Sequence, residues 1–443
     1  MRMYSRFACI TLSAIIVIVL CAPTKARAED KTSPLSLKQV VLLVLKDNAQ
    51  LKAAALNVQG AEALHTYSGT FKNPEMAIQL EDFLGTGPMS GFSNGQTTLS
   101  LRQTLELGGK RDARTNVAGA TLSSQQAAYE SRRITILAET LVRFIHVVAD
   151  QHRLATATRA KELAQRGFTF ASQRVRSGAA STIEQQRANI ALARTKINED
   201  HSQHDLRASK RHLSMMWGDP EAQFSDAQAE LFRLVDLPPY DNLAERIENN
   251  PELIRYAKAQ TSQQARLALA ESRAIPDLKI NIGARRFEDS GDYGMVFGLS
   301  APLPVFDRNQ GRIHSLKKKE HALIAQEGAE RVRLLARLYD DMQEFSHARQ
   351  KLEVLEREIL PEAASVLGFI SNGFKSGRFS QIELLDAQRT LVELEQERID
   401  AAEEMWTHAI RIKSLIGVAP FIGAPDKEEN TATTQHKQGE QHE

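Results

Sequence analysis

The chain has almost no cysteine. Its two thiols, Cys9 and Cys21, lie within the first 21 of 443 residues, so an exported chain trimmed behind them carries no disulfide framework and no thiolate metal site. Aromatic residues are scarce at 6%, while Ala, Leu, Glu, Gln, Arg and Lys abound, the composition of long helices rather than of a β-sandwich. Charge of one sign is missing as well. The 56 Lys and Arg nearly cancel the 55 Asp and Glu, leaving a formal net charge of +1. That balance excludes a generic nucleic-acid binder and a long disordered acidic or basic chain. There is no Gly-rich phosphate loop, metal-protease signature or Gly-x-Ser-x-Gly elbow. The expected catalytic residues, cofactors and resident metals are therefore none, and the chain is not expected to be an enzyme.

Beyond the N-terminus no window offers the roughly 20 apolar residues of a spanning helix, so any entry into a membrane takes another route. The N-terminus itself reads as an export signal over residues 1–28. Arg2 and Arg6 form its basic region, Phe7 to Leu20 is largely apolar, and Ala26-Arg27-Ala28 supplies a small-x-small cleavage site. The apolar stretch is too short for an anchor, and the mature chain is expected to begin at Glu29. Lipidation of Cys21 is opposed by Leu20, which stands where lipoprotein processing wants a small residue. At the other end, 426–443 has almost no apolar side chains and is expected to be disordered.

Self-comparison finds an internal duplication. Asn48-Ala49-Gln50-Leu51 aligns with Asn250-Pro251-Glu252-Leu253, and the same register puts Asn73-Pro74 on Ile275-Pro276. Further on, Val175 to Glu184 aligns with Phe374 to Glu383, sharing Ser, Gly and Glu around a break. The offset of about two hundred residues is far longer than a solenoid repeat. Two repeats follow, about 37–217 and 240–416, joined by a proline-containing equatorial segment at 218–239.

Each repeat runs helix, hairpin, very long helix, break, returning helix. In the first hairpin (75–105), Met76, Ile78 and Leu80 alternate with Ala77, Gln79 and Glu81, and Leu99 and Leu101 alternate with polar neighbours. In the second (277–303), Leu278, Ile280 and Ile282 share a face with Met295, Phe297 and Leu299. Strands of about ten residues with period-two hydrophobicity suit a transmembrane β-barrel. A soluble hairpin with one buried face has the same local pattern. No proline stands between Pro88 and Pro220, and Ile134, Leu137, Leu141, Ile145 and Val148 recur at helical spacing. The span 111–176 is then a helix about 100 Å long, and 311–375 one of roughly 95 Å, with Pro361 expected to kink it near its end. The return legs, 182–217 and 380–416, go half as far. Segments 37–72 and 240–274 supply the missing halves, so the lengths close only if both termini and the proline-rich break meet at mid-height. The fold class is mainly α with a small β part.

Four strands cannot close a barrel, since about eight are needed, and lipid tolerates no open edge. If the hairpins are membrane strands, several subunits pool them. Three would make a 12-stranded β-barrel continuing into twelve helical strands, with polar strand faces lining a water-filled lumen.

With Asn73-Pro74-Glu75 opening the first strand, Leu105-Glu106-Leu107-Gly108-Gly109-Lys110-Arg111 closing the first hairpin, Pro302-Leu303-Pro304-Val305-Phe306-Asp307-Arg308-Asn309-Gln310-Gly311 closing the second, and the duplicated Ser-Gly-x-x-Ser breaks, the sequence resembles the TolC-like outer-membrane efflux channels, specifically their heavy-metal (CzcC-type) branch. The resemblance spans about Leu35 to Pro420. It implies a homotrimer at the outer membrane extending into the periplasm. It also implies a periplasmic membrane-fusion adaptor and an inner-membrane resistance-nodulation-division pump as partners, with no nucleic acid. It implies passive exit of divalent cations of the cobalt, zinc, cadmium or nickel kind. The resemblance further places Arg174, Gly178, Ser181, Lys375, Gly377 and Ser380 at tips that meet the adaptor. Glycine suits a left-handed turn there and the serines can cap the returning helices. Glu383 and Asp386, three apart on one helical face, match the acidic constriction of such channels at the periplasmic entrance, and Glu184 is the first repeat's counterpart. Three copies of each would attract cations. His201 and His204, beside Glu199 and Asp200, and His436 and His442 in the tail read as solvated, because a conduit needs no tight site. Two other readings stay open: efflux of organic compounds by the same kind of channel, and a soluble periplasmic coiled-coil scaffold or adaptor.

Overall fold

The computed structural model describes residues 34–418; the export signal and the tail 426–443 expected above lie outside them. In chain order the elements are β1 (Leu35–Ser36), α1 (Leu37–Asp47), α2 (Ala49–Tyr67), β2 (Glu75–Glu81), β3 (Gln96–Leu105), α3 (Lys110–Arg176), α4 (Thr182–Ser214), β4 (Ala227–Gln228), α5 (Tyr240–Glu245), α6 (Pro251–Ser272), β5 (Leu278–Phe287), β6 (Tyr293–Ser300), α7 (Gln310–Val354), α8 (Leu360–Lys375) and α9 (Gln381–Leu415).

The proline-free stretch becomes one helix. α3 has 67 residues, which at the α-helical rise is about 100 Å. Its expected stripe points inward: Leu137, Leu141, Ile145 and Val148 are buried. They pack with Ile399, Met405 and Ile410 of α9 and with Leu231, Leu243 and Ile247 of the equatorial region in one apolar core. α3 is the spine, touching α2, α4, α6 and α9. The second rod, α7 with α8, is also continuous, but Pro361 acts through its preceding turn. Leu355–Ile359 forms a π-helical turn, and Pro361 sits in the first turn of α8. Proline brings no N–H to the carbonyl four residues back and its ring crowds it, so the ladder widens there.

Two expected helices are each broken at an asparagine. The segment 37–72 divides at Asn48 and 240–274 at Asn250, both in extended conformation. Each side chain accepts the opening N–H groups of the next helix: Asn48 Oδ1 from Gln50 and Leu51, Asn250 Oδ1 from Glu252. Each Nδ2 then donates across the equator, Asn48 to the Met216 carbonyl and Asn250 to the Leu415 carbonyl, both at 2.8 Å. A side chain that caps one helix start and satisfies a carbonyl at another helix end accounts for both breaks. Around this level β1 pairs in parallel with β4, Leu35 opposite Ala227. Trp406 Nε1 donates to Leu231 O, and Gln151 bonds both backbone groups of Ala227. The N-terminal start, the proline-containing break and the end of α9 therefore meet at mid-height, as the leg lengths require.

The four longer strands form one antiparallel sheet in the order β2-β3-β5-β6. The expected hairpins form, with Met76 opposite Leu101 and Ile282 opposite Phe297, and they join through β3 and β5, with Leu105 opposite Leu278. Gly283 sits on that seam, where a Cβ would lie 2.6 Å from the Leu99 carbonyl, so only glycine lets the strands approach there.

Candidate functional site

Directly opposed residues of an antiparallel ladder share a face, so the registers divide the sheet in two. One face carries Met76, Ile78, Leu80, Leu99, Leu101, Ile280, Ile282, Met295, Phe297 and Leu299, with Thr97, Gln103 and Arg286 among them. Most of these are exposed, Met295 at 81%. The other face carries Glu75, Gln79, Glu81, Arg102, Thr98 and Arg285. There Arg285 bridges three strands, donating to Thr98, Gln96 and Glu81 at 3.0, 2.8 and 3.1 Å. An exposed apolar face backed by a wet one is the pattern of a barrel wall in lipid. β2 and β6, at the sheet edges, have no second neighbour in the sheet.

Below the sheet an ionic knot ties strands to rods. Asp277 takes Lys110 and Lys72, the latter at 2.9 Å, while Glu106 takes Arg114 at 2.6 Å. Arg114 also donates to the Ser68 and Thr70 carbonyls. The Arg114 hydrogen bond holds Glu106 below the ordinary carboxylate range. Burial would push Asp277 up, but its bonds from Lys110 and Lys72 bring it down. Gly108 and Gly109 next to the knot are left-handed, as is Asn309 at the start of α7.

At the far end of the rods the two breaks are built alike. Gly178 and Gly377 are left-handed, with φ of 74° and 76°. Ala179 N bonds Arg174 O and Gly178 N bonds Val175 O; Arg378 N bonds Gly373 O and Gly377 N bonds Phe374 O. Both are Schellman turns, with glycine where the αL residue belongs. The returning helices start differently. Ser380 caps α9 in a full capping box with Glu383, whereas Ser181 makes no side-chain cap bond. Glu184, which would complete a box there, pairs with Arg174 at 3.6 Å.

The tip candidates therefore divide. Arg174 is turned inward: it donates to Ala179 O and lies over the Phe374 ring, 5.4 Å from its centroid, joining the two tips. Lys375 is exposed. Glu383 is exposed, but both its bonds go to Ser380, whose N–H and hydroxyl hold it below the usual carboxylate range. Asp386 is paired with Arg389 at 2.9 Å and lines a groove of about 700 Å³ between α4 and α9, floored by Ala157, Ala160 and Ala164 of α3. Composition and spacing had no means of showing these partners. Two substitutions separate the roles. Lys375→Glu is expected to leave thermal stability within about 0.5 kcal/mol of wild type, while Arg174→Ala lowers it by about 1 kcal/mol through the lost aromatic contact. Melting curves of the two purified variants check this.

His201 and His204 are solvated, each beside an aspartate four residues away, His201 with Asp205 and His204 with Asp200. Among the described residues no group of three or more His, Cys, Asp or Glu is arranged to hold a metal ion, and no helix is long and apolar enough to cross a membrane.

A strand sheet with one apolar and one polar face, mounted on rods of about 100 Å, has the build of a channel-forming protein rather than of a catalyst. The chain belongs to the outer membrane efflux protein family, whose model matches residues 40–219 and 242–418. It is an outer-membrane transport protein and not an enzyme. It is 29% identical over 389 residues to the cobalt-zinc-cadmium resistance protein CzcC of Cupriavidus metallidurans, covering 88% of this chain and 91% of that one. It is 27% identical over 322 residues to the nickel-cobalt-cadmium resistance protein NccC of Alcaligenes xylosoxydans xylosoxydans, covering 72% and 71%. Its fold is shared with a membrane protein from Pseudomonas aeruginosa (TM-score 0.74, 18% identity, 86% and 90% covered) and with CusC (TM-score 0.72, 16% identity, 88% and 94% covered).

Proposed function

We propose that three copies of this chain form one duct through the outer membrane, a passive exit for divalent heavy-metal cations. The unclosed sheet carries this reading. Its apolar face suits lipid, yet β2 and β6 are edges, and lipid tolerates no unpaired backbone. Pairing the β6 of one copy with the β2 of the next supplies the missing partners and makes twelve strands. Two fused repeats per chain, 37–217 and 240–416 within a protomer of 29–425, with the equatorial segment 218–239 between them, account for the matched asparagine caps and matched Schellman turns. An export signal at 1–28 brings the chain to the periplasm.

The tips at Arg174, Gly178, Ser181, Lys375, Gly377 and Ser380 form the docking end for a periplasmic adaptor coupled to a resistance-nodulation-division pump. The groove between α4 and α9, with its small-residue floor, suits a partner helix. Glu383, Asp386 and Glu184 would stand around the periplasmic entrance and draw cations inward. Asp386, offset by Arg389, contributes least. The metal cargo is supported by the relatives named for cobalt, zinc, nickel and cadmium resistance. Growth of a strain lacking this chain, on metal salts and on organic toxicants, tests the cargo. Loss of metal tolerance alone is expected, restored by the intact chain. Loss of tolerance only to organic compounds would reassign the cargo and leave the duct in place.

A further inference from the structure

The loop that carries the chain from β6 down to α7 holds its largest side chains away from the protein. Phe306 is 93% exposed, Leu303 83% and Val305 64%. The loop is nonetheless firmly built. Val305 N donates to Leu303 O across Pro304, Arg308 Nε reaches Pro304 O at 3.2 Å, and Gln310 Nε2 reaches Phe306 O at 3.1 Å. Asn309 Nδ2 ties it to the end of α6 through Ala270 O, at 2.7 Å. Large apolar side chains presented by an ordered loop mark a contact with something apolar.

A run of free cations begins two residues on. Arg308, Arg312, Lys317, Lys318 and Lys319 are all exposed, and among the described residues none of them is in an ion pair. The stretch has two carboxylates: Asp307, which accepts from Asn309 N, and Glu320, which accepts from Gln264. Five cations against two anions leave a net charge of +3 over 307–320. The first hairpin closes in the opposite way, with Lys110 and Arg114 absorbed by Asp277 and Glu106. A second copy of the chain would not neutralise the run. α3 touches both α2 and α6, and α6 touches α7, so α2 and α7 are the edges of the rods under the sheet. The α2 edge of another copy offers one carboxylate, Glu62, together with Lys52.

Height points to a different partner. On β6 the apolar face of the sheet ends at Leu299, just above the loop. The polar layer of a bilayer is about 5–7 Å deep on each side, and Gln310 to Lys319 descends at most about 14 Å. Arg308 and Arg312 therefore fall among the headgroups when the loop meets the edge of the acyl chains. The lysines fall a few ångströms below, within reach of their long stems and inside the screening length.

We propose that this loop and the first turns of α7 anchor the duct to anionic phospholipid on the periplasmic side of the membrane. Leu303, Val305 and Phe306 sit at the acyl boundary, and the five cations hold the phosphates beneath it. Guanidinium meets phosphate through two parallel N–H bonds, and ammonium meets it as a point charge. The anchor rests on the lipid-facing sheet of the reading above and adds a ligand to it, a lipid of defined charge at a fixed height.

Two tryptophan variants of the full chain test it, in vesicles of phosphatidylethanolamine and phosphatidylglycerol brominated on their acyl chains. Phe297→Trp probes the sheet and Phe306→Trp the loop. The native Trp217 and Trp406 belong to the equatorial core and supply the unquenched background. Both introduced indoles are expected to be quenched. Quenching of Phe297→Trp alone would overturn the anchor and leave the lipid-facing sheet standing, with water or a second copy over the loop. Quenching of neither would remove the sheet reading and the anchor together. Spin-labelled phosphatidylglycerol, competed against phosphatidylcholine, reads the charge. A lipid held by one cation is expected to be favoured about fivefold, the ratio that ~1 kcal/mol represents, and less so in high salt. The Arg312→Gln/Lys317→Gln/Lys318→Gln/Lys319→Gln variant, shown by far-ultraviolet dichroism to be folded, should lose that preference. If it keeps the preference, these cations do not hold the headgroups and the proposal fails.

Discussion

Asp277→Ala is expected to cost about 3–5 kcal/mol, the range for stripping one partner from a buried ion pair. Lys110 is only 8% exposed and its ammonium points at Asp277, so the substitution leaves a charge in a dry place. Lys72 loses its 2.9 Å contact too, but its side chain is half exposed and water takes over. The damage falls where β5 leaves the helical part and β3 enters it, so the expected result is a sheet that no longer sits squarely on its rods. The assembled species in outer-membrane fractions should fall sharply. The double replacement Lys110→Met/Asp277→Leu should recover most of the loss, because an apolar pair of similar volume is often neutral where an ion pair was buried. If the double variant is as poor as the single one, the knot acts by something other than charge compensation. Acid gives the same answer by another route. Glu106 and Asp277 both have depressed folded-state pKa values. Their contribution is therefore complete above the unfolded carboxylate values near 4 and is lost as pH falls below them. Stability measured on an acid series should drop through that window in wild type. The drop should be smaller in the Met/Leu variant, which has lost the Asp277 share.

That knot marks the boundary of what the sequence alone makes legible. Glu106 and Lys110 stand out as letters of a hairpin-closing motif, but Asp277 reaches Lys110 from 167 residues away, and no local pattern carries such a pairing. The strands behave the same way. Alternation reports which face a residue takes, so Met76 with Leu101 and Ile282 with Phe297 could be read directly. Period two is silent on which strand is the neighbour, and the β3–β5 seam had to come from the fold. Helix lengths were legible because α3 contains no proline, and closure at mid-height followed from them. The breaks at Asn48 and Asn250 had a readable signal, an N-cap residue ahead of an apolar-periodic run. Helical periodicity continuing across both positions hid it. At the tips, glycine spacing identified both left-handed turns. It could not tell that Ser380 caps α9 while Ser181 leaves α4 without a side-chain cap, since that depends on Arg174 drawing Glu184 away.

Gly417→Ala should prove far more damaging than Gly218→Ala, although the two glycines end equivalent return helices. Both are left-handed, at φ of 73° and 82°. Both close the same turn: Val418 N to Lys413 O and Gly417 N to Ser414 O in one, Asp219 N to Ser214 O and Gly218 N to Met215 O in the other. An alanine in that conformation costs about 1–2 kcal/mol wherever it stands. The surroundings decide the rest. A Cβ on Gly218 meets nothing within 4 Å, whereas one on Gly417 would lie 2.3 Å from the Asn249 carbonyl oxygen. Backbone cannot swing aside as a flexible side chain does, so the end of α9 and the turn before α6 must separate. Asn250 then loses the Leu415 carbonyl it holds at 2.8 Å, leaving buried polar groups unpaired at about 1–3 kcal/mol. The expected totals are about 1–2 kcal/mol at Gly218 and roughly 2–5 kcal/mol at Gly417. Thermal melts of the two purified variants compare them directly. Hydrogen exchange at Glu252, whose amide Asn250 caps, should rise in the Gly417 variant alone. Equal losses at the two positions would mean that the equator is not held shut by the contact between Gly417 and Asn249.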